Sequence, residues 1–136
     1  MSEDEYRTHM TLWAMSAAPL MMGHDLRATT AAALALLSNR EVIAIDQDRA
    51  GVQGKAVRVS GQQEVWAKRI VDGGMAIALF NRGDRAATMT LAAEDIGIAR
   101  FKTLRDVWRE VDLDPFERFF TVPAHGAVFL RAKSPR

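Results

Sequence analysis

The fold of this chain is decided by two segments, YRTHMTLWAMSAAPLMMGHDLR at residues 6–27 and NREVIAIDQDRAGVQG at residues 39–54. Their hydrophobic pattern predicts a helix, a short buried strand, two further helical pieces and a Gly-rich exit into a linker. A helix followed by a buried strand and more helix is typical of the last unit of an α/β barrel. The rest of the chain is interpreted outward from this stretch.

The first helix has a clear start and a clear end. Ser2 followed by Glu5 has the form of a capping box, so the helix should begin at about residue 3. Pro19 cannot continue it. We expect one apolar stripe along the helix that needs a partner surface, formed by Tyr6, Met10, Trp13, Ala14 and Ala17.

A short strand is predicted after Pro19. Residues 20–22 are all apolar and end at Gly23, which is the pattern of a strand that a parallel sheet buries on both faces.

Two more helical pieces follow. The sequence from Thr29 or Thr30 to Leu37 is rich in Ala and Leu, and Asn39 is placed to cap a helix from Arg40 to about Ile45. The polar residues 47–51 then form a linker. We therefore predict residues 1–48 as a terminal helix–strand–helix piece of a (β/α)8 barrel and residues 49–136 as a second domain.

The period of the hydrophobic pattern changes from about 3.6 to 2 after Gly54, which indicates strands. Asp72-Gly73-Gly74 is a strong hairpin signal, and residues 94–98 are predicted as a loop. Seven or eight short strands favour an antiparallel β-sandwich, so the predicted fold class is α+β, helices and one short strand followed by that sandwich. The pattern alternates in 57–60, 65–70 and 76–81, and the remaining strands are expected within 87–91, 101–108, 118–122 and 127–131.

Length and composition exclude several classes of function. The chain has 136 residues, too few for a complete (β/α)8 barrel of about 250 residues. A formal charge of +1 with interspersed signs gives no case for nucleic-acid binding. The apolar run near the start contains Thr11, Ser16 and Pro19, which argues against a membrane span or a signal peptide. With no cysteine, disulfides and Cys-based metal sites are excluded, while the cell compartment is not indicated.

Few side chains are candidates for chemistry. Asp25 and His24 follow the predicted strand, where barrel enzymes carry their active sites, but Asp25 is more simply explained as a helix cap or an ion-pair partner of Arg27. His125 is interpreted as a turn residue, and His9, His24 and His125 are too scattered for a metal site. No cofactor is expected.

Four aromatic residues are candidates for a sugar-stacking platform: Trp66, Trp108, Phe119 and Phe120. The simpler interpretation is core packing between sheets, where aromatic strand residues usually lie.

The ordered motifs resemble the α-galactosidases of glycoside hydrolase family 27. The resemblance rests on Leu-Trp-x-Met-x-x-Ala-Pro-Leu at 12–20, Asp-Leu-Arg at 25–27 and Glu-Val-Ile-Ala-Ile-Asp-Gln-Asp at 41–48. It continues more weakly through residues 64–67, 78–82, 104–108 and 122–126. It implies that the chain corresponds to the last third or so of such an enzyme and begins within the catalytic domain.

The resemblance also implies what this chain lacks. Retaining glycosidases need two carboxyl groups about 5 to 5.5 Å apart. In the family these come from earlier barrel strands, whereas Asp25, Glu41, Asp46 and Asp48 match positions with structural roles. No catalytic, cofactor-binding or metal-binding residue is therefore assigned.

Two functions remain open. One is the C-terminal portion of an α-galactoside-cleaving hydrolase, incomplete by itself, whose exposed apolar residues Leu12, Trp13, Met21 and Met22 favour self-association or pairing with the missing half of the barrel. The other is a non-catalytic β-sandwich that binds carbohydrate or a partner. Neither nucleic acid nor a membrane is an expected partner.

Overall fold

The computed structural model describes residues 1–21, 23 and 25–135. Within these residues it contains three α-helices: α1 (Glu3–Met15), α2 (Ala31–Leu37) and α3 (Arg40–Asp46). Two 3-10 turns span Leu26–Ala28 and Ala93–Ile96. Eight strands follow the helices: β1 (Lys55–Ser60), β2 (Gln63–Arg69), β3 (Met75–Asn81), β4 (Ala87–Thr90), β5 (Thr103–Asp106), β6 (Val111–Leu113), β7 (Phe119–Val122) and β8 (Ala127–Lys133).

Helix α1 begins at the predicted capping box. The amide of Glu5 donates to the hydroxyl of Ser2 over 3.2 Å, and the amide of Ser2 donates to the Glu5 carboxylate over 2.6 Å. The helix ends before Pro19 as expected, because Ala17 adopts a left-handed conformation with φ 49° and the amide of Ala18 turns back to the carbonyl of Trp13.

The predicted stripe of α1 is wrong in part. Met10 and Ala14 are buried as expected, together with Thr11 and Met15. Tyr6 and Trp13 are exposed instead. The apolar residues of α1 therefore occupy two faces, and the described chain covers one of them.

The predicted strand over residues 20–22 is also not observed in the described residues. Leu20 and Met21 have no strand geometry, and Met22 lies outside the part of the chain that the structure describes. A strand requires a hydrogen-bonded neighbour, and none of the eight described strands pairs with this segment.

Helices α2 and α3 are capped at the residues where the sequence predicts that they begin. The hydroxyl of Thr30 accepts from the amide of Ala33 over 3.1 Å, and the side-chain oxygen of Asn39 accepts from the amides of Glu41 and Val42 over 3.0 and 3.1 Å. These oxygens satisfy amides that have no partner within the helix.

The strands form an antiparallel sandwich, which confirms the predicted fold class. Six strands pair in the order β1-β2-β3-β8-β5-β6, and β4 pairs with β7 in the second sheet. The hairpin at Asp72 to Gly74 joins β2 to β3 as predicted. β6 was not predicted, because its alternation of apolar and polar residues spans only Val111 to Leu113. Residues 93–96 form a 3-10 turn within the predicted loop region.

The six-stranded sheet is covered on both faces. One face packs against β4 and β7 and contributes Val65, Ile77 and Leu79 to a first core. The other face packs against the helices, where Ala78 and Phe80 meet Met15 and other helical residues in a second core. Residues on both sides of the predicted boundary at 48/49 thus share the second core, and the boundary stays a prediction.

The linker is held against both layers. The amide of Gly54 donates to the carbonyl of Met15 over 2.6 Å, and the Asp48 carboxylate accepts from the amide of Val71. These contacts fix the path of the chain from the helices into the sandwich.

Candidate functional site

Asp25 is a capping residue in the structure. Its carboxylate accepts from the amide of Arg27 over 2.9 Å and pairs with the Arg27 guanidinium over 3.1 Å. Both side chains are largely exposed. The cap and ion pair expected from the sequence are therefore present, while His24 lies outside the described residues.

Two of the other three matched acidic residues make structural hydrogen bonds as well. Glu41 accepts from the guanidinium of Arg105 over 2.7 Å, and Asp48 accepts from backbone amides. Asp46 is buried at the end of α3. Each contact anchors a helix or a loop to its surroundings.

The four candidate platform residues are not brought together. Trp66 meets Phe80 edge-on at a centroid distance of 5.9 Å, and the indole of Trp108 donates to the hydroxyl of Thr11 over 2.8 Å, so both tryptophans contact the helix-facing core. Phe120 is buried in the core between the two sheets, and Phe119 is 65% exposed. Core packing accounts for three of the four.

The described histidines have ordinary partners. His125 lies in a turn with φ 52°, pairs with Asp84 over 3.0 Å, and accepts from the hydroxyl of Thr8 at its carbonyl. The rings of His9 and Trp13 contact each other at a tilt of 56°, with a centroid distance of 5.6 Å. Within residues 1–21, 23 and 25–135, no group of three or more potential ligands is placed to hold a metal ion.

A groove of about 300 Å³ runs along the contact between α1 and the sandwich. His9 and His125 line it, as do Glu64 and Arg82, which form an ion pair over 3.0 Å. The Glu64 carboxylate also accepts from the indole of Trp66 over 3.2 Å. With these partners, Glu64 serves as an acceptor that connects β2 to the end of β3.

A buried cation joins the helices to the sandwich. Lys68 on β2 is 3% exposed, and its ammonium donates to the carbonyls of Ala14 over 2.7 Å and Ile45 over 3.1 Å. Burial lowers the pKa of Lys68, while the nearby Asp46 and Asp48 carboxylates oppose that shift. Burial also raises the pKa of Asp46, and Lys68 opposes that shift.

The junction at Lys68 is not among the features predicted from the sequence, although the sequence carries a signal for it. Trp66, Lys68 and Ile70 alternate with Val65, Ala67 and Arg69, so Lys68 shares a face with two large apolar residues. A lysine on an apolar strand face needs a buried acceptor.

Several large apolar residues of the helical segment are exposed. Leu12, Trp13 and Met21 are exposed as predicted, with Met21 at 89%, while Met22 lies outside the described residues. Leu26 and Leu34 are exposed too. We call Leu12, Trp13, Met21, Leu26 and Leu34 the helical apolar surface.

Comparison with known families identifies this arrangement. The family model described as the alpha galactosidase C-terminal beta sandwich domain matches residues 60–132, more than half of the 136-residue chain. The chain belongs to the α-galactosidase family. A second model of that family, described as alpha galactosidase A, matches residues 1–48. The predicted resemblance to a C-terminal portion of a family 27 α-galactosidase is thereby confirmed.

Individual members of the α-galactosidase family agree with this assignment. The chain is 44% identical to an α-galactosidase of Cyamopsis tetragonoloba over 110 residues, 79% of this chain and 27% of that enzyme. The crystal structure of α-galactosidase I from Mortierella vinacea superposes with a TM-score of 0.90 at 32% identity, covering 98% of this chain and 36% of that one. A family 27 β-L-arabinopyranosidase from Geobacillus stearothermophilus, solved with arabinose, superposes with a TM-score of 0.91 at 27% identity, covering 100% of this chain and 32% of that one.

The chain thus spans between 27% and 36% of the length of these relatives. Among its described residues, no helix is both long enough and apolar enough to cross a membrane.

Proposed function

We propose that this chain supports an α-galactosidase that cleaves terminal α-galactosides with retention of configuration, and that it supplies no catalytic carboxylate itself. Its role is to close the barrel with the helical segment and to hold that segment on the sandwich. The relatives named as α-galactosidases support the substrate class. Because one related structure is a β-L-arabinopyranosidase, the sugar specificity of the complete enzyme is measured in the experiment below.

One observation carries the proposal: α1 is apolar on two faces. Met10 and Ala14 are buried against the sandwich side, whereas Leu12 and Trp13 remain exposed together with Met21. Exposed apolar patches of this kind mark interaction sites. The partner that we propose for the helical apolar surface is the remaining part of a catalytic barrel.

The alternative, a stand-alone sandwich that binds carbohydrate, has less support. Trp66 and Trp108 contact the core, and Phe119 is exposed without the other three platform residues. Titration of the chain with galactose, melibiose and galactomannan tests it. Saturable quenching of tryptophan fluorescence that is lost in W66A or W108A would favour this alternative.

The proposal is tested by complementation. The chain alone is expected not to hydrolyse nitrophenyl α-galactoside, because two acids are needed and none is assigned here. Co-expression with the N-terminal part of the Cyamopsis tetragonoloba enzyme, ending where the match begins, should give a one-to-one complex with activity on that substrate. Nitrophenyl β-L-arabinopyranoside is assayed as the alternative substrate.

Paired variants locate the interface. L12D and M21D place a charge on the helical apolar surface and should abolish complex formation. V59D places the same charge at an exposed valine of β1 and should have no effect. Hydrolysis by the chain alone above the level of a contaminant, or loss of the complex in V59D but not in L12D, contradicts the proposal.

A further inference from the structure

Two carbonyls accept from the ammonium of Lys68, and a carboxylate lies nearby. The carbonyls of Ala14 and Ile45 belong to the last turns of α1 and α3, and both accept from the ammonium. The Asp46 carboxylate lies close enough to act on it electrostatically. One of its oxygens, Oδ1, is buried and has no hydrogen-bond partner among the described residues.

These groups repel one another without a cation between them. The C-terminus of a helix carries about half a negative charge, so two converging C-termini and a carboxylate form an unfavourable cluster. Burial strengthens the repulsion, because the effective dielectric constant inside a protein is low. An ammonium group has three N–H donors, so one ammonium placed among these groups can turn their net repulsion into attraction.

The cation comes from the other layer. Lys68 lies on β2, and its neighbours on the same strand face, Trp66 and Ile70, contact the helix-facing core. The contact therefore ties two helices of the N-terminal segment to one strand of the sandwich. Asp48 adds negative charge nearby while its carboxylate accepts from the amide of Val71.

We propose that Lys68 is an electrostatic lock between the helical segment and the sandwich, and that loss of its charge frees α1 and α3 while the sandwich stays folded. Burial disfavours the charged ammonium, but its hydrogen bonds to the two helix ends stabilise it in this position. The lock is independent of the catalytic proposal, since it concerns only groups within this chain.

Hydrogen exchange measured by mass spectrometry tests the lock. In K68M, which keeps the length of the stem but not the charge, amides of α1 and α3 should exchange on the order of 100-fold faster, the factor expected from loss of two charge-assisted hydrogen bonds. Amides of β3, β4 and β7 should keep their protection. K133M, which removes an exposed lysine of β8, should match the unmodified chain throughout.

Two results would overturn the lock. One is unchanged exchange of α1 and α3 in K68M, and the other is equal acceleration in the helices and in the strands. K68R keeps the cation and is the second variant, measured in the same way. Protection of the helices in K68R supports the lock, and loss of helix protection in K68R contradicts it.

Chemical rescue separates charge from packing. K68A leaves a cavity next to the carbonyls of Ala14 and Ile45 and the carboxylate of Asp46. Propylammonium ions should slow the exchange of α1 and α3 in K68A, whereas 1-propanol, which fills the same space without a charge, should not. An equal effect of the two compounds would show that Lys68 acts by filling space and would refute the lock.

Discussion

Asn81 at the end of β3 joins the two sheets, and replacing it with aspartate should be severely destabilising. Asn81 is 3% exposed. Its amide nitrogen lies 2.8 Å from the carbonyl of Arg85, 3.2 Å from that of Val122 and 3.1 Å from that of Pro123. Its amide oxygen accepts from the amide of Gly83 over 2.9 Å.

The N81D substitution is nearly isosteric but reverses the polarity of one side-chain atom. An ionised carboxylate has no hydrogen to donate, so its second oxygen would face three carbonyl oxygens in a buried site. The two amide hydrogens support about two hydrogen bonds, worth about 1 kcal/mol each, and one buried carbonyl left unsatisfied costs about 1–3 kcal/mol. We expect the free energy of unfolding to fall by about 3–5 kcal/mol, the range seen when a charge is buried without its partner.

The loss should depend on pH. Burial and the three carbonyls disfavour the anion, so the pKa of the carboxyl group that N81D introduces should lie, in the folded variant, above its unfolded value of about 3.9. The folded state then binds more protons than the unfolded state, and its stability falls as pH rises from the unfolded pKa through the folded one. The deficit of N81D relative to the unmodified chain should be smaller at pH 4 than at pH 7.

Equilibrium unfolding in urea, followed by tryptophan fluorescence, measures both quantities. N39D is the matched control, because the side-chain oxygen of Asn39 accepts from two helix amides and Asp caps a helix as well as Asn does. N39D forfeits only a 3.3 Å bond to the carbonyl of Val107 and should change the unfolding free energy by less than about 1 kcal/mol. A deficit of N81D below about 1 kcal/mol at pH 7, or one that does not shrink at pH 4, would refute this reasoning.

Two further predictions concern single sites. In G54A the new Cβ would stand 2.7 Å from the Cε of Met15 and 3.0 Å from its carbonyl oxygen, so urea unfolding should show a loss of about 1–3 kcal/mol, whereas G23A, with no described atom within 4 Å, should be neutral. Burial raises the pKa of Asp106, which is 7% exposed, so its ionised form destabilises the fold increasingly as pH rises above the unfolded pKa. D106N should therefore raise the free energy of unfolding at pH 7 and not at pH 3, and equal effects at the two pH values would contradict this explanation.

Local signals predicted most of the elements correctly, because their causes are local. The capping box of α1 and the Asn39 cap of α3 each involve a few neighbouring residues, and the alternating pattern predicted β3. β6 is only three residues long, and it is defined by its pairing with β5, which no local pattern records.

The junction at Lys68 could not be derived in the same way. Its position on an apolar strand face was visible, but its partners are backbone carbonyls separated from it by 54 and 23 residues. Backbone acceptors look the same at every residue of a sequence. The same difficulty hid the role of Asn81, whose contacts with Val122 and Pro123 lie 41 and 42 residues away.

The error in the stripe of α1 has a physical cause that bears on function. A helix with one partner shows one apolar stripe, and the stripe then identifies the buried face. In α1 the buried residues Met10 and Ala14 lie on one face and the exposed residues Leu12 and Trp13 lie on another, so the apolar residues do not form a single stripe. Such a helix needs a second apolar partner in addition to the sandwich. A free helical apolar surface is consistent with that need, and the complementation experiment measures whether barrel segments of the α-galactosidase family satisfy it.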